Sequence, residues 1–150
     1  MKIVTPTEEA LRNIDVKDIL PHRNPFLLVD NIIYIDDTIT KTEFSISENC
    51  IFVSNGVFNA EALIEIVAQT CAARIGYISK YLLNKEVSIG YIGAIRSLVQ
   101  YTTPKVGDKL ICSIEILDQV FNMSRAIATI YSNDNVVLTT EIKVVEISKD

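Results

Sequence analysis

NAEALIEIVAQTCAARIGYISKYLL, residues 59–83, is the longest stretch of the chain that keeps a helical pattern without a proline. Asn59 suits an N-cap, Glu61 lies where the positive end of the helix dipole favours a carboxylate, and Asn84 suits the far end. Residues 60–82 would build a rod roughly 35 Å long at ~1.5 Å per residue. Leu63, Ile64, Ile66, Val67, Ile75 and Ile78 spread apolar side chains nearly all round it. A helix that is apolar on most sides is buried on most sides, so the rest of the chain has to wrap it.

The segments on either side have the composition and period of strands. FLLVDNIIYID (26–36) is rich in branched and aromatic residues, and TKTEFSIS (40–47) alternates, with Thr40, Thr42, Phe44 and Ile46 on one face. After the helix come candidate strands at 87–101, 109–120, 123–132 and 136–147, broken at Pro104, at Gly107-Asp108 and at Ser132–Asn135. Leu110, Cys112, Ile114 and Ile116 share one face of the second of these. Asn55-Gly56 marks a turn in the loop 48–58. Near the start, Thr5 as cap, Pro6 at the first helical position and Glu8 in a capping box predict a short helix ending near Asn13, and Asp15 a second turn over 16–19 that Pro21 ends. The expectation is an α+β fold, a single domain over 1–150, with a curved antiparallel sheet wrapped around one long central helix at about 60–82. Such a sheet leaves open edges, which a second copy or a related chain would cover as a homodimer or a heterodimer.

The chain has 150 residues, 49% hydrophobic and 22% charged, with a formal net charge of −5. Those values describe a globular domain and point away from nucleic acid, which calls for a basic face. No apolar run is long enough for a membrane span or has the form of a signal peptide. Cys50, Cys71 and Cys112 are scattered and odd in number, as expected of reduced thiols in a cytoplasmic protein. One histidine and no paired-cysteine spacing argue against a metal site.

Glu61, Glu65 and Gln69 recur one helical turn apart along the central helix. One reading puts that side in solvent, which suits Glu61. The other points Glu65 into an apolar cleft, where burial would favour the protonated form that a general acid requires. Gln69 would then orient the carboxyl. The backbone N–H groups of Asn59, Ala60, Glu61 and Ala62, at the start of the helix, could hold a developing oxyanion. Arg96, Lys105 and Lys109 could form a local basic patch, while Tyr77 and Tyr81 read as core or interface.

Two segments carry a resemblance to a known family. LPHRNPFLLVDNI (20–32) resembles the N-terminal signature of the β-hydroxyacyl-(acyl carrier protein) dehydratases, Leu-Pro-His-Arg-aromatic-Pro-Phe-Leu-Leu-Val-Asp, departing from it at Asn24. ALIEIVAQTCAA (62–73) is similar to that family's central-helix motif, a glutamate followed four residues later by glutamine, and PKVGDKL (104–110) to its late turn. The resemblance covers roughly residues 15–146 and implies the hotdog fold, as a dimer or a trimer of dimers. It implies a 3-hydroxyacyl thioester on acyl carrier protein or CoA as substrate, loss of water to a trans-2-enoyl thioester, and no cofactor beyond the phosphopantetheine arm the substrate brings. It assigns Glu65 as the catalytic carboxylate and Gln69 as its support.

The family's catalytic histidine, in a Gly-His-Phe-Pro motif before the helix, has no counterpart here: that region reads FVSNGVFNAE (52–61). The chain is most similar to a divergent subset, found in aryl-polyene pigment pathways, that lacks the motif. His22 is the lone histidine. Either it serves beside Glu65 as a substituted base, or it is scaffold between Pro21 and Pro25. Scaffold would suit a non-catalytic partner subunit of a dehydratase complex, and a hotdog acyl thioesterase using only the helix carboxylate is a third possibility.

Overall fold

The structure, a computed structural model, describes residues 2–147. Its long helix, α2 (Ala60–Tyr77), starts where Asn59 takes up an extended backbone, φ −67° and ψ 142°. The α-helix ends sooner than its apolar pattern. Ile78–Leu82 form one wider turn, in which Leu83 N–H donates to the carbonyl of Ile78 at 2.9 Å, and Asn84 then adopts φ 50°.

Eight strands accompany it among the described residues. β1 (Asn31–Ile35), β2 (Ile39–Ser45), β5 (Ile89–Gln100), β6 (Lys109–Val120), β7 (Met123–Ser132) and β8 (Asn135–Ile147) form a six-stranded antiparallel sheet in the order β1-β2-β6-β7-β8-β5. β3 (Val53–Ser54) and β4 (Val57–Phe58) make a small hairpin within the expected loop, turning at Asn55 and Gly56 with φ 54° and 76°. This is the hotdog architecture: a curved open sheet wrapped around one helix.

Period-two alternation explains the inner face. Leu110, Cys112 and Ile114 of β6, Ala126, Ala128 and Ile130 of β7, and Ile142 of β8 are buried against Leu63, Ile66 and Val67 of α2. The opposite side of α2 is also covered. Ala73 and Tyr77 pack with Leu11, Val16, Ile19 and Leu20 from the N-terminal segment and with Ile32 and Ile35 of β1. Two cores, one on each side, are why the helix is apolar nearly all round. Gly76 marks the closest approach: a Cβ there would lie 2.1 Å from the carbonyl oxygen of Ile19.

Two expected elements shift. The first helix, α1 (Glu8–Arg12), is capped by Thr7 rather than Thr5, since Thr7 is extended and its hydroxyl accepts from Ala10 N–H. Pro6 therefore precedes the helix instead of opening it. The strand expected over 26–36 is confined to β1. Upstream, the main chain of Phe26 and Leu28 bonds to the side chain of Gln69 instead of to another strand. The turn capped by Asp15 forms as expected over Val16–Asp18.

β2 departs from alternation at Glu43, a carboxylate only 5% exposed and held by the guanidinium of Arg12 and by Lys109 Nζ at 3.0 Å. Burial works against its charge, but the two cations outweigh burial and hold the carboxyl below its ordinary range.

Candidate active site

Leu20–Leu28 is a loop that two side chains pin to the molecule. Arg23 donates to the carbonyls of Leu20 and His22, each at 2.8 Å, which makes it a structural donor that folds the loop on itself. Gln69, fully buried in α2, reaches the loop from the other side. Its Oε1 accepts from Leu28 N–H at 2.7 Å and its Nε2 donates to the carbonyl of Phe26 at 2.9 Å.

The remaining donor of Gln69 reaches Glu65 Oε1, also at 2.9 Å. One buried amide therefore fixes both the loop that carries His22 and the carboxylate one turn away. The result brings together residues more than forty positions apart: His22 Nε2 lies 3.8 Å from Glu65 Oε1. Glu65 also borders a cleft.

That cleft, of about 490 Å³, is lined by the turn Asp18–His22, by Glu65, Ala68 and Ala72 along one stripe of α2, and by Val87–Ile92 at the start of β5. The alanines keep the helix side shallow. Glu65 is not walled off by this chain, because its side chain is 42% exposed. His22 is more covered, and its other ring nitrogen, Nδ1, is buried without a hydrogen-bond partner among the described residues. The other such atom is Ser88 Oγ, and Ser88 borders the same cleft. Buried polar groups are seldom left unpaired, and both of these belong to residues that line the cleft. Nothing in the sequence distinguished Ser88.

The start of α2 lies elsewhere. Asn59 and Ala60 border a different depression, with Gln100–Thr103. Asn59 N–H donates to the carbonyl of Phe52 and Ala62 N–H to that of Asn59, so of the four expected oxyanion donors only Ala60 and Glu61 keep free N–H groups among the described residues. None of the four lines the cleft of this chain. The β3–β4 hairpin is built from FVSNGVFNAE (52–61), the stretch before the helix that has no histidine.

Other sequence candidates settle into structural roles. Lys109 is tied to Glu43 and Lys105 to Asp108, leaving Arg96 as the member of that trio without an ion pair among the described residues. Tyr77 is buried and stacks against half-exposed Tyr81, ring centroids 5.3 Å apart. Burial pushes the Cys112 thiol up to about 12 and that of Cys71 higher still, which suits neither as a nucleophile. Among the described residues no group of three or more His, Cys, Asp or Glu could hold a metal ion, and no helix is long and apolar enough to cross a membrane.

Comparison with known proteins bears on the family and the fold. The family model for ApeP-like proteins, described as ApeP dehydratase, matches residues 14–150. The 3-hydroxyacyl-(acyl-carrier-protein) dehydratase FabZ of Clostridium botulinum (strain Okra / Type B1) is 30% identical over 130 residues, 82% of this chain and 88% of its own. FabZ of Haemophilus ducreyi is 26% identical over 134 residues, 85% of each chain. Among solved structures, a chain of the dehydratase heterocomplex ApeI:P from Xenorhabdus doucetiae superposes with a TM-score of 0.83 at 19% identity, covering 92% of this chain and 94% of that one. The E. coli PaaI protein of the phenylacetic acid degradation operon superposes at 0.61 with 12% identity, covering 78% of each, a likeness of fold alone.

Proposed function

This chain belongs to the ApeP-like dehydratase family, and from that premise we propose how its cleft takes water from a 3-hydroxyacyl thioester to leave a trans-2-enoyl thioester. The enzyme is a hydro-lyase. The elimination needs a base for the α-proton and an acid for the departing β-hydroxyl, both reaching the same substrate. His22 Nε2 takes the α-proton. Glu65, held through Oε1 by Gln69, hands a proton from Oε2 to the hydroxyl, which leaves as water. The electrons of the broken C–H bond form the new double bond as the C–O bond breaks. Afterwards the proton on His22 returns to Glu65, directly or through one water, and the pair is reset. The observation that carries this assignment is the approach of His22 Nε2 to Glu65 Oε1 at 3.8 Å beside an apolar cleft.

The substrate arrives as a thioester of acyl carrier protein or CoA and brings its own phosphopantetheine arm; the reaction as proposed uses no metal and no further cofactor. Exposed Arg96 is the cation we assign to an acidic carrier. Free cysteines fit a reducing compartment, and we place the protein in the cytoplasm.

Pairing with a second chain completes the site in this proposal. β5 is an edge strand, hydrogen-bonded to β8 on one side only, and its Ile95, Leu98 and Val99, with Tyr101 just beyond its end, are all exposed by more than a third. Its first residues line the cleft, so a chain added there would cover Glu65 and could bring the start of its own α2 close to the bound thioester. The partner is a second copy or a related dehydratase; either fits the edge. A thioesterase is not favoured, since the likeness to PaaI extends to the fold alone.

Purified protein with a 3-hydroxyacyl carrier thioester should develop enoyl absorbance, and Glu65→Gln and His22→Ala should each lower the rate by roughly 10²–10⁴-fold. Activity that survives both substitutions removes this site. If Glu65→Gln abolishes the activity of a two-chain complex while His22→Ala leaves it unchanged, the base comes from the partner and His22 is scaffold.

A further inference from the structure

A second cavity, of about 310 Å³, lies behind α2 between its C-terminal half and the inner face of the sheet. Cys71, Ile75, Ile78, Ile114, Ile116 and Val144 form its apolar part, beside the polar Asp37, Arg74, Gln119, Ser124 and Glu146. Its one cation, Arg74, is already occupied: the guanidinium donates to the carbonyls of Asp36 and Asp37 at 2.9 and 2.7 Å and to Thr40 Oγ1 at 2.9 Å. Half-exposed Leu83 borders it, so the space is a pocket with a mouth and not a sealed void.

The chamber and the cleft adjoin. Ala68, Ala72 and Ile75 follow one another along one stripe of the helix at four- and three-residue steps. The two alanines line the cleft, and Ile75, next in that stripe, lines the chamber. Across from Ile75 is Gly90, which lines the cleft. A Cβ on Gly90 would stand 2.6 Å from Ile75 Cδ1 and 3.4 Å from Val144 Cγ1, so the terminal methyl of Ile75 rests on the glycine backbone at the boundary. The smallest side chains leave the cleft open up to that point, and one isoleucine methyl closes it.

We propose that Ile75 is the partition between the catalytic cleft and this chamber, and that the chamber receives the distal carbons of the substrate's acyl chain when the partition yields. Ile75 is then a specificity-determining residue, setting the length at which a chain stops gaining contact. The inference rests on the dehydratase reading, since it takes the head of the chain to lie beside Glu65.

The test is a binding ladder by titration calorimetry. Saturated acyl-pantetheine thioesters of increasing length lack the 3-hydroxyl and cannot react. Each methylene that enters apolar surroundings should tighten binding roughly fourfold until the chain meets the partition, after which affinity levels off. Ile75→Val removes only the methyl that touches Gly90 and keeps the branched core packing. With it, affinity should keep climbing beyond the length at which the wild type levels, while short chains bind unchanged. Ile75→Ala should extend the climb further. A ladder that levels at the same length in wild type and Ile75→Val overturns the proposal, and if enoyl formation still depends on Glu65 the dehydratase reading stands without it. No binding of a thioester of any length by the wild type overturns both.

Discussion

Gln69 uses both of its N–H groups and its oxygen: the oxygen takes Leu28 N–H, and the two N–H groups go to Phe26 and Glu65. Replacing it by Leu would keep the volume and leave a buried N–H and a carbonyl without partners. The expected cost is about 1–3 kcal/mol, read as a lower denaturation midpoint, together with a lower turnover because Glu65 loses its anchor. At Glu43 the sign of a pH effect follows from its depressed folded value. Its contribution to stability is present above the ordinary carboxylate range, near 4.5, and is lost as pH falls through the lower folded value. Urea unfolding at pH 7 and at pH 3 should show Glu43→Gln losing less stability between the two than the wild type. Thiol labelling of the native protein should modify Cys50, which is partly exposed, well before Cys71 and Cys112, which are buried; equal rates would mean that the core opens readily. The pairing of Glu65 with Gln69 was readable from their spacing on a helix. The main-chain partners of Gln69 were not, because they come from a segment whose composition imitates a strand.

At the scale of elements, α2 and the 3-10 turn Val16–Asp18 meet at Gly76. A methyl there would collide with the carbonyl of Ile19, a backbone atom that cannot rotate aside. Gly76→Ala must push the 16–22 segment off the helix and carry His22 away from Glu65. Overpacking of this kind costs about 1–3 kcal/mol, and activity should fall further than stability does. Enoyl formation assayed well below the variant's melting temperature checks this; full activity would show that the position of His22 does not matter. The same contact explains why the helix was legible and its neighbour only partly so. Helical periodicity over residues 60–77 is set by the chain locally, and the strands β6 and β7 announced their own bounds by alternation. Residues 26–28 carry strand-forming side chains, but a glutamine from another element bonds the carbonyl of Phe26 and the N–H of Leu28, and local propensity holds no record of that competition.

At the scale of the whole molecule, the open edge of β5 is the main unfinished surface. Its exposed Ile95 and Val99 sit on a strand that has a hydrogen-bonding partner on one side only. Ile95→Lys should weaken association through this edge, and sedimentation velocity should then give a smaller species than the wild type at the same concentration. Activity should fall in parallel if a second chain completes the cleft over Glu65. An unchanged sedimentation coefficient would remove the edge from the interface.

The sequence by itself determined the order of elements, the single buried helix and the family, because periodicity, capping and a contiguous motif are properties of neighbouring residues. It also proposed the helix glutamate and its glutamine, since a helix converts a four-residue interval into adjacency. Only the tertiary structure decided that His22 reaches Glu65, that the start of α2 lies away from the cleft of its own chain, and that Ser88 borders it. Those relations join segments distant along the chain, and their geometry is set by packing, by one glycine against a carbonyl and one buried amide bridging a loop to a helix, which no local pattern encodes.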